Sequence, residues 1–168
     1  MDFYDVLAQR RSIRGYRNDP VPEDALRRIC EAVRCAPTAC NRQPFKLYLV
    51  RNAEKRAALA GIYPQKWFAE APVIAVIAGC ESESWKRLEG DSIVNVDAAI
   101  AMEHFVLAAA AEGLGSCWIC AFRRAEADRV LGLDPKYKAV AMSPLGYAAV
   151  PPRDFVRKPL EELIEMVD

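Results

Sequence analysis

From Ser92 to Glu112 the chain reads SIVNVDAAIAMEHFVLAAAAE, a helical stretch in which apolar residues fall on nearly every side. A helix at a protein surface carries one apolar stripe, whereas one that is apolar all round has to be enclosed by its own domain or by a partner subunit. Gly113-Leu114-Gly115 ends it. The segment Pro72 to Gly79, PVIAVIAG, makes the same demand in extended form. A continuous apolar run of that length is typical of a strand covered on both faces. The 168 residues are 52% hydrophobic and 27% charged, the profile of one globular domain able to bury roughly 70% of its unfolded surface. No linker, repeat or low-complexity segment divides them, so residues 1–168 are read as a single domain.

The remaining periodicities place shorter elements around these two. Residues 2–10 predict a short helix capped by Asp2, and Pro22-Glu23-Asp24 opens a second that runs to about Arg34. Thr38 to Pro44 is a polar loop, and Phe45 to Val50 a strand. A helix over Ala53–Leu59 and a short helix or turn over Pro64–Ala71 precede the apolar strand. Beyond the long helix come a strand over Ser116–Cys120, a helix over Arg124–Leu131 and a strand over Tyr137–Leu145. Leu160 to Val167 is expected to be helical. This order predicts an α+β or three-layer architecture with four to five strands.

Charge narrows the partners. Lys plus Arg and Asp plus Glu are both 23, so the formal net charge is zero. General binding to nucleic acid or to an anionic membrane would call for a basic excess. MDFYDVLAQRRS has acids before bases and no apolar core, unlike a secretory signal, and charged residues interrupt every long apolar run. A cytoplasmic protein with no membrane span is expected, its six cysteines reduced. Only one C-x-x-C pair exists, Cys117 and Cys120, whereas zinc and iron–sulfur sites usually pair two, so no metal is assigned. A dithiol at that pair stays open. The single histidine, His104, lies within the long helix, where a core or interface role is the ordinary one. With so few catalytic side chains, any chemistry is expected to arrive with a cofactor.

Two segments have the composition of a binding site. Arg10, Arg11, Ser12 and Arg14 place a hydroxyl among three guanidiniums, groups whose forks match phosphate oxygens. A solvated basic turn would read the same way. Arg153, Arg157 and Lys158 form a second basic group that could close on the first. The loop PTACNRQP, from Pro37 to Pro44, is dense in hydrogen-bonding groups between a helix and a strand.

Four segments in order, FYDVLAQRRSIR, APTACNRQPF, GLGSCWICAF and RKPLEEL, make the chain resemble the FMN-dependent nitroreductase family over nearly its whole length. The resemblance implies a mainly antiparallel sheet flanked by helices in a three-layer sandwich, assembled as an intertwined homodimer with FMN at the interface. It implies that Arg10, Arg11 and Ser12 grip the FMN phosphate and ribityl chain. Arg14 would face the flavin near N1 and O2, where a cation stabilises the reduced ring. Pro37, Thr38, Ala39 and Asn41 match a loop that usually reaches the flavin from the partner subunit. Trp118, Ile119, Cys120 and Ala121 match a strand end whose backbone N–H groups address N5 and O4. Arg157 matches a tail arginine on the phosphate, again usually from the partner, with the tail crossing the other subunit. Cys120 and Ala121 stand where the family commonly has two glycines.

The implied activity is hydride transfer from NADH or NADPH through flavin N5 to a nitroaromatic, quinone or similar acceptor, in a ping-pong cycle without a catalytic side chain. Dehalogenation, flavin fragmentation and azoline oxidation on the same scaffold, or flavin binding without catalysis, are the alternatives. Gly79 to Asp91 is too short for the helical excursion of longer relatives, so an open cleft is expected, with Gln65, Lys66 and Trp67 on its substrate side.

Overall fold

The computed structural model describes residues 2–167. Its elements are α1 (Phe3–Gln9), α2 (Glu23–Arg34), β1 (Phe45–Val50), α3 (Ala53–Ile62), α4 (Lys66–Glu70), β2 (Val73–Cys80), α5 (Val94–Ala111), β3 (Gly115–Ser116), α6 (Arg124–Leu131) and β4 (Tyr137–Gly146). Local chemistry accounts for several ends. Asp2 accepts the Asp5 N–H at the start of α1, and Asn52 accepts the Lys55 N–H at the start of α3. Gly132, at φ 64°, takes the left-handed position that closes α6.

The four strands form one antiparallel sheet in the order β1-β2-β4-β3. Every residue of β2 is buried, and alternate side chains enter different layers. Val73, Ala75 and Ile77 pack with α2 and α5, while Ile74 and Val76 pack with Leu59, Phe68 and Ala127 from α3, α4 and α6. The result is the expected three-layer α+β sandwich, with α5 as the central helix of one layer. By length and composition α5 would be apolar enough to cross a membrane. It is instead a core helix, since Ala98, Ala101, Met102, Phe105 and Ala109 are fully enclosed. His104 is fixed there as well, its Nδ1 2.8 Å from the Ala32 carbonyl of α2.

Two expected elements differ. The strand over Ser116–Cys120 shrinks to Gly115–Ser116 plus a single bridge between Ile119 and Met142, because the Cys117 N–H donates to the Ser143 hydroxyl instead of a strand carbonyl. The tail forms only one turn, Leu160–Glu162, rather than a helix to Val167. Short helices are stabilised by packing their apolar face, and here Leu160, Leu163, Ile164 and Met166 are all exposed.

Candidate cofactor-binding site

The chain leaves α1 at Arg10 and runs beside β3 almost as a fifth strand. The Ile13 N–H donates to the Ser116 carbonyl at 2.9 Å, and Ser12 makes a parallel bridge with Ser116. Farther along, the Arg17 N–H donates to Tyr147 and the Ala149 N–H to Gly15. Ile13 and Tyr16 turn inward and are buried. Burial pushes the Tyr16 phenol well above the ordinary tyrosine range, so its O–H remains a donor, to the Ile13 carbonyl at 2.8 Å. Gly115 permits the close approach. A Cβ built there would stand 2.8 Å from Ile13 Cγ1 and 3.0 Å from Ile13 Cβ.

With its apolar side chains buried, this segment leaves Arg10, Arg11, Ser12 and Arg14 around a cavity of about 310 Å³. The opposite wall is the chain's own tail, Arg153, Asp154, Phe155 and Arg157. The two basic groups of the sequence thus meet within one chain. Arg157 lines the same cavity as Arg10 and Arg14 within a single chain.

Among the described residues, none of these five arginines forms an ion pair. Five arginines elsewhere do form ion pairs, as Arg28 does with Asp24 and Glu112. Arg11 differs from its neighbours: one guanidinium nitrogen donates to the carbonyls of Ala8 and Arg10, so it caps the end of α1. Cys117, behind Ser12, has its thiol pushed up by burial, against the opposing pull of Arg14.

Two to five residues beyond Ser116 lie Trp118, Ile119, Cys120 and Ala121. Ile119 is not available as a ligand: its side chain is buried, and its N–H and carbonyl both pair with Met142 at 2.9 Å. Cys120 and Ala121 are exposed, and among the described residues their N–H groups have no partner. The Trp118 indole N–H lies 3.2 Å from the Cys120 sulfur.

Pro37, Thr38, Ala39 and Asn41 do not join this cavity. Phe45, just after their loop, pairs with Gly79 at one end of β2, whereas β3 lies by Leu145, opposite Val73 at the other end. Six residues along the strand and three strand-to-strand steps separate them, about 20 Å by about 15 Å. The loop is held in an unusual shape, with Cys40, Asn41 and Gln43 at φ 51°, 52° and 51°. Left-handed backbone at non-glycine residues persists only where surrounding contacts impose it. Thr38 Oγ1 accepts the Gln43 N–H at 3.0 Å, and the Gln43 amide donates to Asn41. The Ala39 N–H donates to Asp97 Oδ1 at 3.1 Å. Asp97 is almost fully buried in α5, and its Oδ2 is the one buried side-chain polar atom without a partner among the described residues.

Asp97 and Phe155 escaped sequence reasoning. The only signals were a carboxylate inside an all-apolar helix and an aromatic ring between two tail arginines. Trp67, expected near substrate, packs edge-on against Tyr63 and lies 6.5 Å from Tyr16, which makes it a support for the arginine segment. Gln65 and Lys66 remain exposed.

A layered sheet with an arginine-lined cavity beside β3 is a scaffold for holding an anionic group, and comparison with known proteins gives it a family. The sequence model of the Nitroreductase family matches residues 7–63 and 61–147. The chain belongs to the nitroreductase family. A Thermus thermophilus protein named NADH dehydrogenase is 32% identical, with 98% of this chain and 95% of that protein aligned. The Bacillus subtilis FMN reductase (NAD(P)H) is 32% identical over 78% of this chain and 59% of its own. Among solved structures, a nitroreductase family protein from Clostridium difficile 630 superposes with a TM-score of 0.87, at 26% identity and 98% coverage of both chains. These relatives support an oxidoreductase.

Proposed function

We propose that this chain is an FMN-dependent NAD(P)H oxidoreductase acting as a homodimer. The observation that carries the reading is the gathering of Arg10, Arg14, Arg153 and Arg157, cations without a carboxylate partner among the described residues, around one cavity. Like charges around a shared void repel, and a dianionic phosphate monoester is what would convert that repulsion into charge-assisted hydrogen bonds. The residues therefore fit FMN. Arg10, Arg157 and the Ser12 hydroxyl would hold the phosphate, Arg14 would set a positive charge beside the ring, and the free N–H groups of Cys120 and Ala121 would donate to the ring edge. Bound there, FMN would supply the redox chemistry that carries electrons from NAD(P)H to a nitroaromatic, quinone or similar acceptor in a ping-pong cycle. Positioning and electrostatics are the protein's part; no side-chain acid or base is required.

The same geometry supports the reading of a two-copy assembly. Pro37, Thr38, Ala39 and Asn41 lie at the opposite edge and end of the sheet, so they would complete the site of a second copy. A cavity of about 260 Å³ beside α5, bounded by Phe3, Val6, His104 and Leu107, supports an apolar contact of this kind. Exposed Phe3, Tyr4 and Leu7 add to that surface.

Purified protein is expected to carry or take up FMN, to oxidise NADH or NADPH when an acceptor is supplied, and to have the mass of a dimer by light scattering. Arg10→Ala and Arg157→Ala should each weaken FMN binding by about 1.5–3 kcal/mol, the size of a lost charge-assisted hydrogen bond. Protein that stays colourless after addition of FMN sinks the reading.

A further inference from the structure

Phe155 is an aromatic residue in a tail whose earlier residue Val150 packs close to Gly15. Phe155 is 44% exposed, so its place is only partly explained by hydrophobic burial. Two guanidiniums lie over it, Arg11 at 3.9 Å and Arg157 at 4.8 Å from the ring centroid. These distances keep the two like charges within about 9 Å of each other, close to a Debye length at physiological salt. Among the described residues, neither Arg153 nor Arg157 has a hydrogen-bonded or ionic partner, and no backbone hydrogen bond ties residues 150–158 to the sheet. Arg11, by contrast, is anchored to the end of α1 through the Ala8 and Arg10 carbonyls.

We infer that Phe155 is a positioning residue that clips the tail to Arg11 and thereby delivers Arg157 to the anion cavity. A cation over the face of an aromatic ring is attracted by the ring's quadrupole, and one ring here engages both cations. The anchored Arg11 fixes the ring, and the ring holds the Arg157 guanidinium against its repulsion from Arg11. Arg11 therefore serves the cavity through Phe155 rather than as a direct phosphate ligand. The inference rests on the FMN phosphate reading of the cavity.

The test is a binding cycle that reads FMN and riboflavin separately, because riboflavin has the same ring system without the phosphate. Wild type, Phe155→Leu, Phe155→Tyr, Arg157→Ala and the Phe155→Leu/Arg157→Ala double variant are titrated with each flavin by fluorescence quenching. Phe155→Leu should weaken FMN binding about 5- to 20-fold, as expected for loss of a partly desolvated cation–π contact, and change riboflavin binding less than about twofold. Phe155→Tyr should restore FMN affinity to within about threefold of wild type. In the Arg157→Ala background the leucine substitution should have no further effect. Equal losses for FMN and riboflavin, unchanged FMN affinity in Phe155→Leu, or the same loss with and without Arg157 would each overturn the clip while leaving the cavity reading intact. Wild-type protein that does not prefer FMN over riboflavin would overturn the phosphate reading and the clip together.

Discussion

The contact between Gly115 and Ile13 decides where the arginines stand, and Gly115→Ala tests it. Gly115 is not among the glycines with positive φ, so alanine is compatible with its backbone and any cost is steric. The new Cβ would meet Ile13 Cγ1 at 2.8 Å, Cβ at 3.0 Å and Cγ2 at 3.1 Å. Rotating the isoleucine cannot relieve all three, because its own Cβ is fixed to the backbone. The segment from Arg10 to Arg14 must therefore move outward by several tenths of an ångström. Overpacking of this kind costs about 1–3 kcal/mol. Stretching the bond from the Ile13 N–H to the Ser116 carbonyl, now 2.9 Å, adds part of the roughly 1 kcal/mol that such a bond contributes. A loss of about 2 kcal/mol in a chain of this length lowers Tm by about 4–8 °C. Scanning calorimetry of Gly115→Ala, Ile13→Ala and the double variant is the assay. The double variant, with two of the three contacting atoms removed, should be more stable than the sum of the single effects by about 1 kcal/mol or more. FMN affinity should fall with Gly115→Ala and partly recover in the double variant. Strictly additive stabilities, or a Gly115→Ala protein with wild-type Tm and flavin affinity, would refute the reasoning.

Asp97→Ala should destabilise by about 1.5–3 kcal/mol, the scale of a hydrogen bond to a charged group, and speed hydrogen exchange at the Ala39 amide. Asp97→Asn, which retains the acceptor oxygen, should exchange more slowly there than Asp97→Ala. The Arg28 guanidinium holds the Glu112 carboxyl below its usual range, so this pair stabilises above the unfolded glutamate value of about 4.3 and loses that contribution as pH falls through the lower folded value. Urea unfolding of Glu112→Gln should accordingly show a flatter loss of stability below about pH 5 than wild type. Brief alkylation of native protein near neutral pH, followed by mass mapping, should label exposed Cys35, Cys40 and Cys120 before buried Cys80 and Cys117, and the raised Cys117 thiol should be the slower for it.

Much of the fold was legible because helix and strand periodicities are local. The apolar run at Pro72–Gly79 predicted a strand buried on both faces, and β2 is one. The all-apolar stretch from Ser92 predicted an enclosed helix, and α5 lies in the core. The tail shows the limit of this reasoning, since spacing of Leu160, Leu163 and Val167 describes a helix face but supplies nothing for it to pack against. The strand expected over Ser116–Cys120 failed for a related reason: a serine hydroxyl from β4 took the Cys117 N–H, and residue spacing carries no record of that competition.

For the site, the sequence by itself determined the inventory. It placed Arg10, Arg11, Ser12 and Arg14 in one short segment, a second basic group near the tail, and four segments resembling one family in order. Tertiary structure alone decided how they are used. It brought Arg157 to the cavity, turned Arg11 onto the end of α1, and occupied the N–H of Ile119 in a strand bridge. It also joined Asp97 to Ala39 across 58 residues of sequence and set Phe155 against Arg11. The physical reason is that residue types and spacings specify which groups can donate, accept or carry charge. Which of them meet depends on the packing of distant elements, here on a missing Cβ at Gly115 that lets one basic segment lie against the sheet edge and face the other.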